Sequence, residues 1–133
     1  MTIPMIAPEQ ELFDAFFIAL EKEGYRVFDY LPPKETKYPF AVVGNTQLVA
    51  EANKSYISGN INILLHAWGE QKQRKQVSDM LTCFLMVARE LKQTDHYKFQ
   101  AVFNSASSQM VGDTSVADTF LWHGVFSIDM RLI

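Results

Sequence analysis

The C-terminal stretch, residues 120–133, alternates: Phe120, Trp122, Phe126, Ile128 and Met130 fall on one parity, with Gly124 among them. Period-two patterning of this kind marks a strand with one buried face. Its 14 residues would reach about 46 Å at about 3.3 Å each. A compact chain of 133 residues has a radius of gyration of about 14 Å, hence a diameter of about 36 Å. The strand must bend, with Gly124 the natural place, or leave the body of the protein. A second run, 56–68, sets Ile61, Ile63 and Leu65 on one face and Asn60, Asn62 and Leu64 on the other before Gly69 closes it. It raises the same question. Oversized strands expose edges that recruit partners, a hazard for a monomer and an advantage for a subunit of an assembly.

The remaining segments complete an α+β order. Pro8 at a first helical position, Glu9 and Glu11 in the opening turn, and Leu12, Phe13, Phe16, Phe17 and Leu20 at three- and four-residue spacing predict a helix over 7–23, stopped by Gly24. Extended segments follow over 25–30, ended by Pro32 and Pro33, and over 40–45, bounded by Pro39. A second helix is expected over 70–93. Its start is wholly polar, and Val77, Met80, Leu81, Phe84, Leu85, Ala88 and Leu91 form its apolar stripe. A strand over 97–104 has Tyr97, Phe99, Ala101 and Phe103 in step. The order α-β-β-β-α-β-β predicts a mainly antiparallel sheet of about five strands with both helices on one face. One domain over 1–133 accommodates all of it.

Two polar stretches, 46–55 and 105–118, read as long loops between strands. Loops of this length are functional or mobile, so they are either docking surface, through Val49, Met110, Val111 and Val116, or hairpin tips. Lys72, Arg74 and Lys75 give the polar helix start a positive cluster, which is a solvated face, one side of a salt bridge between subunits or, last in order, a phosphate contact.

Composition excludes several classes. Hydrophobic residues make up 48% of the chain, enough to build a core and to argue against disorder. The net charge of −3 lacks the basic surplus from which nucleic-acid binders draw their affinity, so no specific nucleic-acid binding is expected. The single cysteine, Cys83, excludes an internal disulfide framework and a thiolate metal cage. No signal-peptide pattern and no membrane-spanning run is present, and a cytoplasmic protein is expected.

Chemistry is also hard to find. His123, Ser127 and Asp129 share a strand face, but His123 and Ser127 stand about 13 Å apart along it, too far for a catalytic relay. If their strands pair, His66 neighbours His123. Such a pair is either two half-buried polar side chains or part of a metal site whose third ligand is not visible. Cys83, among Met80, Phe84 and Val87, reads as a small buried hydrophobe, and His96 as a solvated turn residue. The glycines form no phosphate-cradling motif. The expectation is no enzyme, no catalytic residues, no cofactor and no metal.

The succession of segments does resemble a known group. A strand ending V-F-D-Y-L-P-P, then Y-P-F-A-V-V-G-N, a polar loop, N-I-N-I-L-L-H-A-W, the helix start G-E-Q-K-Q-R-K-Q-V-S-D-M-L and a final W-H-G-V-F-S-I-D-M-R are similar to tail-completion and head–tail joining proteins of long-tailed bacteriophages and prophages. The resemblance spans nearly the whole chain. It implies a tail-terminator-like virion structural protein, a homo-oligomer forming a ring, commonly hexameric. Such a ring ends the tail tube and joins it to the head, with the tail tube protein and neck or head-completion proteins as partners. It also implies assembly in the host cytoplasm and a final place in the virion tail or neck, with no membrane contact. The alternative is a small cytoplasmic ligand-binding or accessory domain using the sheet face near His66, Trp68, Trp122 and His123.

Overall fold

A computed structural model describes residues 7–51 and 58–133. Residues 1–6, together with the end of the first expected loop and the start of the expected 56–68 strand, lie outside the described residues. The order is α1 (Pro8–Lys22), β1 (Val27–Phe28), β2 (Phe40–Glu51), β3 (Ser58–Glu70), a 3₁₀ turn (Gln71–Gln73), α2 (Arg74–Glu90), β4 (Phe99–Asp113) and β5 (Leu121–Leu132). The five strands form one sheet in the order β1-β2-β3-β5-β4. Every neighbouring pair is antiparallel except β1 with β2, which is parallel. The α+β class, the element order and the placing of both helices on one sheet face follow the expectation from the sequence.

The core lies between the helices and that face. Ile61, Ile63 and Leu65 of β3 and Ile128 and Met130 of β5 are wholly buried, opposite Leu12, Phe16 and Leu20 of α1 and Val77 and Phe84 of α2. Alternation alone assigns these strand residues, because a one-residue slip would turn each of them to the other side. The start of α2 is held by reciprocal bonds: Glu70 N–H donates to Gln73 Oε1 at 2.8 Å, and the Glu70 side chain accepts from the Gln73 backbone. The Gln73 amide also donates to the Tyr38 carbonyl at 3.2 Å. Helix two therefore begins as a 3₁₀ turn, and it ends at Glu90, short of the expected residue 93.

Strand lengths depart furthest from expectation. The segment expected over 25–30 keeps only Val27–Phe28 as strand. Residues 46–51 and 105–113, expected as loops, continue β2 and β4. Both strands bend through register shifts, between Val43 and Thr46 in β2 and between Val102 and Ser107 in β4. Ser105 satisfies the second irregularity, its Oγ donating to the Val102 carbonyl and accepting from Asp129 N–H at 2.9 Å. The same bulge ends the alternation on β4, so Phe99 is buried while Phe103 is 51% exposed. Gly124, expected as the bend in the last strand, is no bend. The β3–β5 register runs unbroken through it from Asn60↔Arg131 to Glu70↔Leu121. A Cβ at Gly124 would stand 3.0 Å from Leu81 Cδ2, so the glycine lets α2 sit close on β5.

Candidate functional site

With both helices on one side, the other face of the sheet has no helix over it among the described residues, although Phe40 and Val42 at one end of it are buried. Its centre is a row of rings. His66 Nδ1 and His123 Nε2 lie 2.9 Å apart, and Trp68 stacks on His123 at 3.8 Å between centroids and 8° between planes. The β3–β5 register makes this row, because Trp68 pairs with His123 and His66 sits one step along the same face. The bond needs one nitrogen bearing a proton and one without, so it cannot persist when both rings are fully protonated. Next to it, the Asn62 amide donates to Ser127 Oγ and to Asp129 Oδ1, each at 3.0 Å. Arg131 pairs with Glu51 at 3.1 Å. Among the described residues no three His, Cys, Asp or Glu side chains are grouped as metal ligands.

Burial disfavours the imidazolium form, so both histidines titrate below the ordinary value of 6.5. At His123, repulsion from His66 adds to this and the Asp113 carboxylate partly offsets it. Below 6.5 the unfolded chain therefore binds more protons than the folded one. The stability held above that pH is lost as pH falls through the lowered folded values. The expected result is a lower urea midpoint at about pH 5.5 than at about pH 7.5, with a flatter profile in a His66→Gln/His123→Gln variant. An unchanged pH slope in that variant would assign the loss to other groups.

Two concavities flank the sheet. At the end where β2 begins and β3 finishes, Tyr38, Phe40, Trp68, Pro32, Val116 and Leu121 line a cleft of about 230 Å³. On the helix side, Ala15, Ala19, Cys83, Met86, Val87 and Leu91 line a groove of about 720 Å³ between α1 and α2, with Glu23, Asp79 and Glu90 among its walls. Burial pushes the Cys83 thiol up, and the Glu23 carboxylate pushes it further. It stays protonated near neutral pH, as a filler of the groove floor does.

The residues expected at an interface do not form one site. Val49, 59% exposed, and Val111, 42% exposed, stand on the open face, on β2 and β4. Met110, one residue from Val111, turns to the helix side and packs on the core. Val116 lines the end cleft. Lys72, Arg74 and Lys75 lie at the start of α2, where Lys75 pairs with Asp79 at 2.9 Å and the Arg74 guanidinium sits 5.1 Å from the Trp122 ring centre. Trp122 also donates its Nε1–H to the Gln71 carbonyl at 3.1 Å. It therefore faces α2, on the opposite side from His66, Trp68 and His123. The four residues of the ligand-binding alternative therefore do not share one sheet face. His96 is exposed in its turn, as expected, and is paired there, its Nδ1 lying 2.6 Å from Glu11 Oε2 and its N–H donating to Glu11 Oε1 at 3.1 Å. Burial would raise the Glu11 carboxyl, yet the bonds from Thr94 and His96 hold it below its usual value.

No protein-family profile and no curated protein matches the sequence. A solved structure does. The chain is similar to one from the virion of a native gene transfer agent particle, with a TM-score of 0.67 and 12% sequence identity. The likeness is one of fold. It takes in 96% of this chain and 99% of that one, so helices, sheet and long hairpins are all included and no element of either chain stands far outside the match.

Proposed function

We propose that the chain is a structural, non-enzymatic component of a phage or prophage virion, acting as one domain over 1–133. In this reading it assembles in the host cytoplasm into a homo-oligomeric ring, with six subunits the expected number. The ring ends the tail tube and joins it to the head, and its partners are the tail tube protein and the neck or head-completion proteins. The observation that carries the reading is the full-length likeness of fold to a virion chain. The resemblance of the segment order to tail-completion proteins narrows it to the tube end. Two physical features agree with it: strands of 12 to 15 residues and, among the described residues, a face of the main sheet without helical cover. The acidic balance suits a conduit that lets DNA pass without holding it.

Solution mass by light scattering, over a protein concentration series and with purified tail tubes added, tests the reading. A closed oligomer, or a monomer that caps tubes, is the expected outcome. A strict monomer that ignores tubes would overturn it.

A further inference from the structure

Among the described residues the two lateral edges of the sheet are open over much of their length. Among the described residues β4 pairs as a strand only with β5, and its outer side is met at its start, where Phe99 N–H donates to the Lys92 carbonyl at 2.8 Å. Likewise, among the described residues β2 has a strand on its outer side only at Ala41 and Val42, where the two residues of β1 pair with it, so residues 46–51 have a neighbouring strand on one side alone. Strands left in this condition present a row of unpaired N–H and C=O groups, and proteins that stay monomeric blunt such edges with lysine, proline or covering elements. Each strand has one bulge, but past it neither residues 46–51 nor residues 107–113 carry such a device. β4 has 15 residues and β2 has 12, with no lysine, arginine or proline in either, and their sole charges are the terminal Asp113 and Glu51. Large apolar side chains stand exposed on these same strands: Val49 at 59%, Phe103 at 51% and Val111 at 42%.

We infer that neighbouring copies of this chain join edge to edge, β4 of one copy pairing antiparallel with residues 46–51 of β2 in the next. This rests on the ring reading and names the contact that would build it. Strand direction permits it. Three successive antiparallel pairings, β2 with β3, β3 with β5 and β5 with β4, leave β2 and β4 running in opposite senses. A copy placed alongside in the same orientation therefore meets β4 with an antiparallel strand. Lengths agree as well: residues 46–51 span about 20 Å, and the regular part of β4 past its bulge, residues 107–113, spans about 23 Å. Leu48 stands level with Ile61 and Met110, through Gly124, with Ala67, so the next copy is displaced by about 20 Å along the strands. The contact joins two different surfaces, so repetition closes a ring or extends a filament and does not stop at a dimer. The backbone supplies the ladder, and Val49 meets the small and apolar side chains of the β4 open face.

Cysteine pairing tests this without ambiguity of origin. In a Cys83→Ala background, Val49→Cys is combined in turn with Gln100→Cys, Val102→Cys, Ser107→Cys, Gln109→Cys or Val111→Cys, all on the open face by register. Within one chain β2 and β4 are three strand spacings apart, about 14 Å, beyond the reach of a disulfide. Any bond formed is therefore between copies. The expected result is a ladder of oxidised multimers on a non-reducing gel from one or two adjacent β4 positions, abolished by Val49→Lys in place of Val49→Cys. Oligomers seen by light scattering, yet bridged from none of the five positions, would overturn edge pairing and leave the ring reading standing. A monomer under every condition, with tubes or without, would overturn both.

Discussion

Phe126→Ala lowers the stability of the folded chain by about 3–5 kcal/mol, among the largest losses expected from a single truncation. Phe126 is 1% exposed on β5, which is bonded to β3 on one side and β4 on the other. It stands opposite Leu65 and Ser108 on those neighbours, and its ring meets that of Phe84 of α2 edge to face, with centroids 6.1 Å apart. Removing it costs the transfer of the ring from water and also leaves a cavity. A central strand held on both sides, under a helix already drawn close at Gly124, has little freedom to collapse into that space. Small domains hold only about 5–15 kcal/mol in total, so the variant sits near the threshold for folding. Urea titration gives the number directly. Phe84→Ala should cost a similar amount, and the double variant should lose about 0.5–1.5 kcal/mol less than the sum, since the edge-to-face contact is then counted once. Strict additivity would show that the two rings do not support one another.

Gly59→Ala costs about 2–3 kcal/mol and acts on the far end of the sheet. Gly59 has a φ of +138°, and a Cβ built there would lie 2.1 Å from the Val49 carbonyl oxygen and 3.0 Å from Ala50 Cα. Both obstacles are backbone, so no side-chain rotation relieves them. Gly59 pairs with Ala50, and the next pair outward is Glu51 with Ser58. The cheapest response is to open that end of the β2–β3 hairpin while the buried pairs Val43 with Leu65 and Ala41 with Ala67 hold. Amide exchange should therefore accelerate near Val49 and Ile61 and stay slow around Phe126. The opened segment is also the free edge of β2, so assembly should weaken in a chain whose core is still native. Unchanged protection at Val49 would mean that the strand absorbs the methyl group by shifting as a unit.

The two predictions fall on residues that differ in how plainly the sequence announces them. Phe126 belongs to an alternating run with Ile128 and Met130, and such a run has only one sensible orientation. The buried partners Ile61, Ile63 and Leu65 were legible for the same reason. Gly59 carried no comparable signal, because a left-handed backbone value shows in the sequence only as one glycine among several. Residues 46–51 and 105–113 read as loops in the sequence because Thr-Gln and Ser-Ala-Ser-Ser-Gln show no strong alternation. They are strands because β3 and β5 hold out hydrogen-bonding partners to them, and the bulges that interrupt them also scramble the period.

The candidate site was legible only in pieces. Adjacent His66 and His123 could be anticipated if their strands paired. Register then decided that Trp68, and not Trp122, shares their face, because one residue of displacement along a strand reverses the side. Val49 and Val111 stood out as weakly apolar residues in polar surroundings, but their meaning changed once both proved to lie on strands at opposite margins of the sheet.

By itself the sequence determined the order of helices and strands, the residues that make the core and the class of fold, because periods of 2 and 3.6 are local properties of a chain. The tertiary structure alone decided how far each strand runs, where it bulges, which rings meet and which edges stay open. Those depend on hydrogen-bond partners tens of residues away, and a backbone N–H or C=O is the same in every residue until a neighbouring strand is there to bond it.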